Sequence, residues 1–221
     1  MGEIKTSFVN VAKRSPGVLY EPVQKNEKQR IAVLVMHSDE DYLLWPTGPE
    51  LAKRGYTVLN ANVMNKEGII FSQIDKMQSV KAAVEYLRSL PQVEKIILMG
   101  HSGGGTLMSA YQAVAENGPQ VFQGPEKIYP YPSNEKLPPA DGIMLLDSNW
   151  GNAVMQLLSL DPAVEDEKSG MLINEDLNLF NPINGFDKNG STYTDEFIHH
   201  FQKSQSIRNI YILEYALSRL M

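Results

Sequence analysis

The run Gly100-His101-Ser102-Gly103-Gly104-Gly105 constrains this chain more than any other stretch. It follows the apolar segment VEKIILM (93–99) and precedes TLMSAYQAVAEN (106–117), whose apolar residues have helical spacing. A strand that bends into a helix so abruptly needs small residues around the bend, because a Cβ there would strike backbone. G-x-S-x-G at a strand-to-helix junction is the pattern of a nucleophile elbow, which pushes the serine oxygen clear of the main chain. Ser102 is therefore the candidate nucleophile. The plainer alternative is a tight glycine-rich turn with no chemistry.

The rest of the chain supplies the frame. Four apolar runs are continuous rather than alternating: IAVLVMH (31–37), YTVLNANV (56–63), VEKIILM (93–99) and GIMLLD (142–147). Runs of this kind are strands of a parallel sheet, buried on both faces. Between the first two, GPELAKRG (48–55) predicts a short helix closed by Gly55. Between the second and third, Ile74, Met77, Val80, Val84 and Leu87 predict a longer one, with Ser72 as its N-cap and Pro91 beyond its end. After the glycines, Leu107, Tyr111, Val114 and Ala115 form one helix face. Strands alternating with helices mean βαβ units: an α/β fold with a doubly wound, mostly parallel sheet. Such a sheet places its ligand site beyond the carboxyl ends of its strands. His37, Val63, Ser102 and Asp147 all fall at those ends.

Around this core lie less regular parts. Segment 4–22, with Ser15-Pro16-Gly17 as its turn, is expected to add a leading antiparallel hairpin. Pro119, Pro125, Pro130, Pro132, Pro138 and Pro139 make 118–139 an irregular excursion before the last strand. From Trp150 onward no further β run is evident. A Leu-rich stretch (152–160), a polar loop and a helix over 194–220 follow, with Phe197, Phe201, Tyr211, Leu213, Leu217 and Leu220 as its expected apolar contacts. The reading is thus a core over 1–149 and a helical segment over 150–221.

A net charge of −6 without a Lys/Arg cluster argues against a nucleic-acid partner. The absence of cysteine excludes disulfides, thiolate chemistry and Cys-ligated zinc, and no metal or cofactor is expected. The opening MGEIKTSFVNVAKR has no apolar signal core, and no apolar run approaches the ~18 residues of a membrane span. A cytoplasmic location without a membrane partner is the resulting expectation.

Residues 31–149 resemble the first part of an α/β-hydrolase, of the esterase and lipase superfamily. Gly100, Ser102 and Gly104 fill the elbow positions. His37 stands where that family often has a His-Gly opening its oxyanion loop, with Ser38 and Asp39 here in place of glycines. The resemblance implies a serine hydrolase acting on a small carboxylic ester or related acyl compound, with functional residues in the order serine, acid, histidine. Asp147 is then the candidate acid; the plainer and favoured reading is a strand-end aspartate capping the next turn. An oxyanion hole needs two aimed N–H groups. Gly103 would give one, and Ser38 or Asp39 the other. Asp39, Glu40 and Asp41 are expected to face solvent, since carboxylates pointing inward would oppose the developing charge.

His37, His101 and Trp150 are pocket candidates, and Phe71, Tyr42, Leu43 and Trp45 could join Trp150 around an acyl group. His199 and His200, in EFIHHFQKS, are the only histidines in the right order for a general base, and a packed or solvated helix face is the plainer reading. The base is otherwise expected outside these 221 residues, with 150–221 resembling the cap that many such enzymes insert. Turnover by this chain alone would then be close to nil, because losing the base costs a factor of about 10⁶ in kcat. The alternative is a non-catalytic ligand-binding protein of the same fold. A phosphate-cradling loop is disfavoured, since GHSGGG lacks the Lys-Ser/Thr of that motif.

Overall fold

In a computed structural model, the structure describes residues 2–12, 15–63, 73–124, 131–166, 168–170 and 172–219. The apolar runs become strands at or near their expected bounds. β1 (Ile4–Ala12), β2 (Ser15–Pro22), β3 (Ile31–Val35), β4 (Thr57–Ala61), β5 (Lys95–His101) and β6 (Gly142–Leu146) form one mixed sheet in the order β1-β2-β4-β3-β5-β6. β4, β3, β5 and β6 run parallel, and β1 and β2 antiparallel. Ser15, Pro16 and Gly17, expected to form the hairpin turn, are instead the first residues of β2. The reason lies in β4: Gly17 pairs with Ala61 and the Pro16 carbonyl accepts the Asn62 N–H, so β2 must already be extended there.

The described residues form five α-helices, α1 (Thr47–Ala52), α2 (Gln73–Ser89) and α3 (Gly103–Asn117), followed by α4 (Asn152–Ser159) and α5 (Asp195–Ser218). The period of two along β3 sends its residues to two separate cores. Ala32 and Leu34 pack with Met77, Val80, Val84 and Leu87 of α2 and with Leu107, Met108 and Tyr111 of α3. Val33 and Val35 pack on the other face with Tyr42 and Ala52. The middle of the sheet is thus covered on both sides, by two long helices on one and by α1 and the 41–45 loop on the other. Ser72, the expected cap of α2, and the side chain of Ile74 lie outside the described residues, as do Phe71, Pro125, Pro130 and Leu220.

The chain divides into two compact units, Met1–Asn149 and Trp150–Met221. In the second, α4 takes up the Leu-rich stretch, and α5 starts where Thr194 accepts the Phe197 N–H with its side chain, as an N-cap does. The expected apolar contacts of α5 do not form a buried stripe. Tyr211, Leu213 and Leu217 are exposed, while Phe197 stacks on Tyr193. Their spacing contributes to this: with the α-helical turn, Phe197, Phe201 and Tyr211 fall on one side of α5 and Leu213 and Leu217 on the opposite side, so no single face collects them.

Candidate active site

The four parallel strands end at the same side of the sheet, and their carboxyl ends bring together the loop after β3, Asn62 and Val63 after β4, the Ser102 turn after β5, and the 147–149 loop after β6. Ser102 sits at φ 52°, ψ −123°, which for a residue with a Cβ costs on the order of 1–3 kcal/mol. The surroundings hold it there. A Cβ on Gly100 would land on the Gly104 carbonyl, and one on Gly104 would land on the Met36 carbonyl at the end of β3. These close approaches allow no side chain at either place. The Ser102 N–H donates to the Leu146 carbonyl (3.1 Å), and the Ser102 carbonyl accepts from Asn149 N–H (3.4 Å) and Gly105 N–H (3.1 Å). The serine's own peptide groups are therefore fixed by β6, the loop after it and the first turn of α3. Gly103 opens α3, where backbone N–H groups are left over for an anion and the helix dipole is positive.

Asp147 is the only described non-glycine residue besides Ser102 with positive φ (44°). Aspartate tolerates this conformation better than most residues. Its side chain is exposed and makes no hydrogen bond among the described residues. The loop's ties come from its neighbours: Ser148 Oγ donates to the Gly100 carbonyl, and Thr106 Oγ1 bonds Asn149 at both its carbonyl (3.0 Å) and Oδ1 (2.6 Å).

The loop after β3 is organised around His37, which is 8% exposed. Its Nδ1 accepts two backbone N–H groups, from Asp39 (3.0 Å) and Glu40 (2.9 Å). Burial pushes its pKa down against the opposing charges of Asp39 and Glu40. Of the two expected donors in this loop, the Asp39 N–H is thus engaged by His37, whereas the Ser38 N–H has no partner among the described residues. Asp39 does not face solvent as expected. Its Oδ1 lies 2.6 Å from Nζ of Lys76 on α2, and its Oδ2 accepts from Ser38 Oγ at 2.5 Å. Desolvation raises the Asp39 pKa, but these hydrogen bonds and the lysine charge outweigh it and the net shift is downward. Asp41, though exposed, accepts from Asn62 Nδ2 and the Leu43 N–H, and Glu40 remains at the surface. The physical reason is the buried Lys76 ammonium, which must be matched by an anion.

His101 points away from the role of a free base. Its Nδ1 is 2.5 Å from Tyr42 Oη, and Trp45 lies against its ring at 5.1 Å. Tyr42 stacks between His37 (4.9 Å) and Trp45 (4.4 Å, nearly parallel), so two of the expected pocket histidines and two of the expected lining aromatics form one cluster. No hydrogen bond joins either imidazole to Ser102 among the described residues. Trp150, the third pocket candidate, belongs to the second unit and is 79% exposed; His199 and His200 lie exposed on α5 of that unit.

Sequence reasoning missed Lys76, Asn60 and Asn62. Each left a trace. Lys76 stands on the apolar stripe of α2, four and seven residues before Val80 and Ala83. Asn60 and Asn62 interrupt an otherwise apolar strand run two residues apart. They hold the 41–45 loop: Asn60 Nδ2 donates to the Leu43 and Trp45 carbonyls, and Asn62 Oδ1 accepts the Tyr42 N–H.

No family model and no curated protein matches the sequence. Solved structures do. Esterase B from Lactobacillus rhamnosis, described with a C4-C4 SN3 tributyrin phosphonate, gives a TM-score of 0.51 at 13% identity, covering 66% of this chain and 48% of that one. Siderophore hydrolase EstB from Aspergillus fumigatus gives 0.46 at 14% identity, over 65% and 42% of the two chains. Est1E from Butyrivibrio proteoclasticus gives 0.38 at 21% identity, over 51% and 46%. The chain spans less than half the length of each of these structures. The likeness to esterase B shows the fold: it is α/β-hydrolase-like, as the resemblance read from the sequence implies.

Proposed function

We propose that this chain is a serine hydrolase of the α/β-hydrolase type, acting on a carboxylic ester or related acyl compound through Ser102. One observation carries the reading: Ser102 is held in a costly left-handed conformation, by backbone approaches that exclude side chains at Gly100 and Gly104, at the carboxyl end of a parallel strand. Strain of this kind persists only where its surroundings enforce it, and it collects at functional sites. In the reaction, Ser102 Oγ bonds to the acyl carbon, the alcohol leaves with the serine's proton, and water then releases the acid. The N–H of Gly103 and the positive end of α3 stabilise the oxygen that becomes negative, with the Ser38 N–H as second donor. Asp147 is the proposed acid. The esterase described above carries a tributyrin phosphonate, which makes short-chain acyl esters the first substrates to try.

A fluorophosphonate probe tests the assignment. The full-length protein should be labelled, and Ser102→Ala should not; labelling that survives the substitution moves the nucleophile elsewhere.

The second reading, a non-catalytic ligand-binding protein, is favoured by one fact. Both imidazoles of the first unit have Nδ1 occupied, by backbone donors at His37 and by Tyr42 at His101. Hydrolysis of p-nitrophenyl acetate separates the two: Ser102-dependent turnover supports the enzyme, and ligand binding without turnover supports the binder.

A further inference from the structure

We infer that the His37 side chain is itself an oxyanion donor, a neutral imidazole whose Nε2–H is presented beside the Gly103 N–H. The inference rests on the hydrolase reading and goes beyond it by giving a side chain a direct part in binding the developing charge.

Three observations converge. The first is the tautomer. With two backbone N–H groups aimed at Nδ1, that nitrogen must carry a lone pair, so the ring's only hydrogen is on Nε2. The second is position. Nε2 and Cε1 lie 3.4 Å from the point a Gly103 Cβ would occupy, ordinary contact distance, so the ring tip borders the residue that follows Ser102. The third is vacancy of the donor. The Nε2 of His37 has no hydrogen-bond partner among the described residues and is not one of their fully buried polar atoms, so it stays open to a ligand. An N–H that no protein group takes up is free to bind an oxygen gaining negative charge at this place. The ring cannot swing away, because Tyr42 stacks on it at 4.9 Å. Burial also holds the imidazole neutral, so it offers a fixed hydrogen bond and carries no exchangeable second proton to the site.

The same geometry bars His37 from acting as the base. Its free lone pair is already used, and the nitrogen facing Gly103 carries a hydrogen.

Two substitutions separate a donor from a prop. Asparagine at 37 places an acceptor close to where Nδ1 stood, keeping the Asp39 and Glu40 N–H groups bound, but has nothing at the Nε2 position. Glutamine reaches the Nε2 position with an N–H. The readout is the rate at which a fluorophosphonate labels Ser102 in the full-length protein: Oγ–P forms, P–F breaks, fluoride and the hydroxyl proton leave, and the phosphoryl oxygen takes up charge. His37→Asn should slow labelling by about 10²–10³-fold, the loss expected for one oxyanion donor, and His37→Gln should recover at least a tenth of the wild-type rate. Asparagine labelling at the wild-type rate, or asparagine outperforming glutamine, overturns the inference and leaves the hydrolase reading intact. A wild-type protein that is never labelled overturns both. Imidazole ¹⁵N spectra of the wild type give an independent check that needs no variant to fold. A neutral ring protonated at Nε2 at pH 7 is expected; a ring protonated at Nδ1, or charged, refutes the assignment.

Discussion

β3 and β6 lie on either side of β5, both parallel to it and both five residues long. As sequences, IAVLV and GIMLL are near equivalents. In the fold they are opposites. Ala32 to Val35 are 0–4% exposed, whereas Ile143, Met144, Leu145 and Leu146 are 39–52% exposed. The difference comes from the neighbours. β3 has β4 on its far side and helices or packed loop over both faces, while β6 is the sheet edge among the described residues. An apolar run therefore tells that a strand forms, and its burial depends on what lies beside it.

The largest test of this contrast is truncation. Leu34→Ala should cost about 2–5 kcal/mol in urea unfolding, because it empties a packed core, while Leu145→Ala should stay within about 1 kcal/mol. Equal losses would mean that β6 is as well covered as β3. Glycine tests come next. Gly104→Ala sets a Cβ against the Met36 carbonyl and should cost about 1–3 kcal/mol. In contrast, Gly142→Ala meets only the flexible tip of Ile97, at 3.0 Å, and should cost less than about 1 kcal/mol.

The third test is pH, read at the end of β3. The folded pKa of His37 is lowered by burial, with His101 and Lys76 assisting and Asp39 and Glu40 opposing. The unfolded state therefore binds the proton first as pH falls. Stability carried by this group is present above the unfolded value near 6.5 and is lost below it, on the way to the lowered folded value. Its slope should stay under about 1.4 kcal/mol per pH unit, the figure for one whole proton. His37→Gln should flatten stability between pH 7 and 5; an unchanged slope would place its cause elsewhere. The smallest effect is expected at the edge itself. Leu145→Lys should alter unfolding by no more than about 0.5 kcal/mol while reducing self-association in sedimentation, as charges on exposed edges do. A loss of several kcal/mol would show Leu145 to be a core residue.

The same contrast explains what could be read from the sequence. The parallel strands, the helices between them and the bend at Ser102 were legible because each follows from local periodicity and the steric demands of a tight turn. The conformation of Ser15 to Gly17 was not, since it depends on pairing with β4, more than forty residues away. Nor was the fate of Asp39, which is decided by Lys76 on another element. At the candidate site, the strand ends bearing His37, Ser102 and Asp147 were foreseeable from topology. The tautomer of His37 and the Tyr42–His101 bond were not, because they arise from contacts between loops.

The Ser102 N–H ends on Leu146 and its carbonyl receives Asn149, so the serine takes its alignment from the least enclosed strand of the sheet. Loosening that margin would misdirect the hydroxyl well before it melted the interior. Reactivity at Ser102 should therefore be the earliest gauge of damage there, fading while spectroscopic signs of folding remain intact.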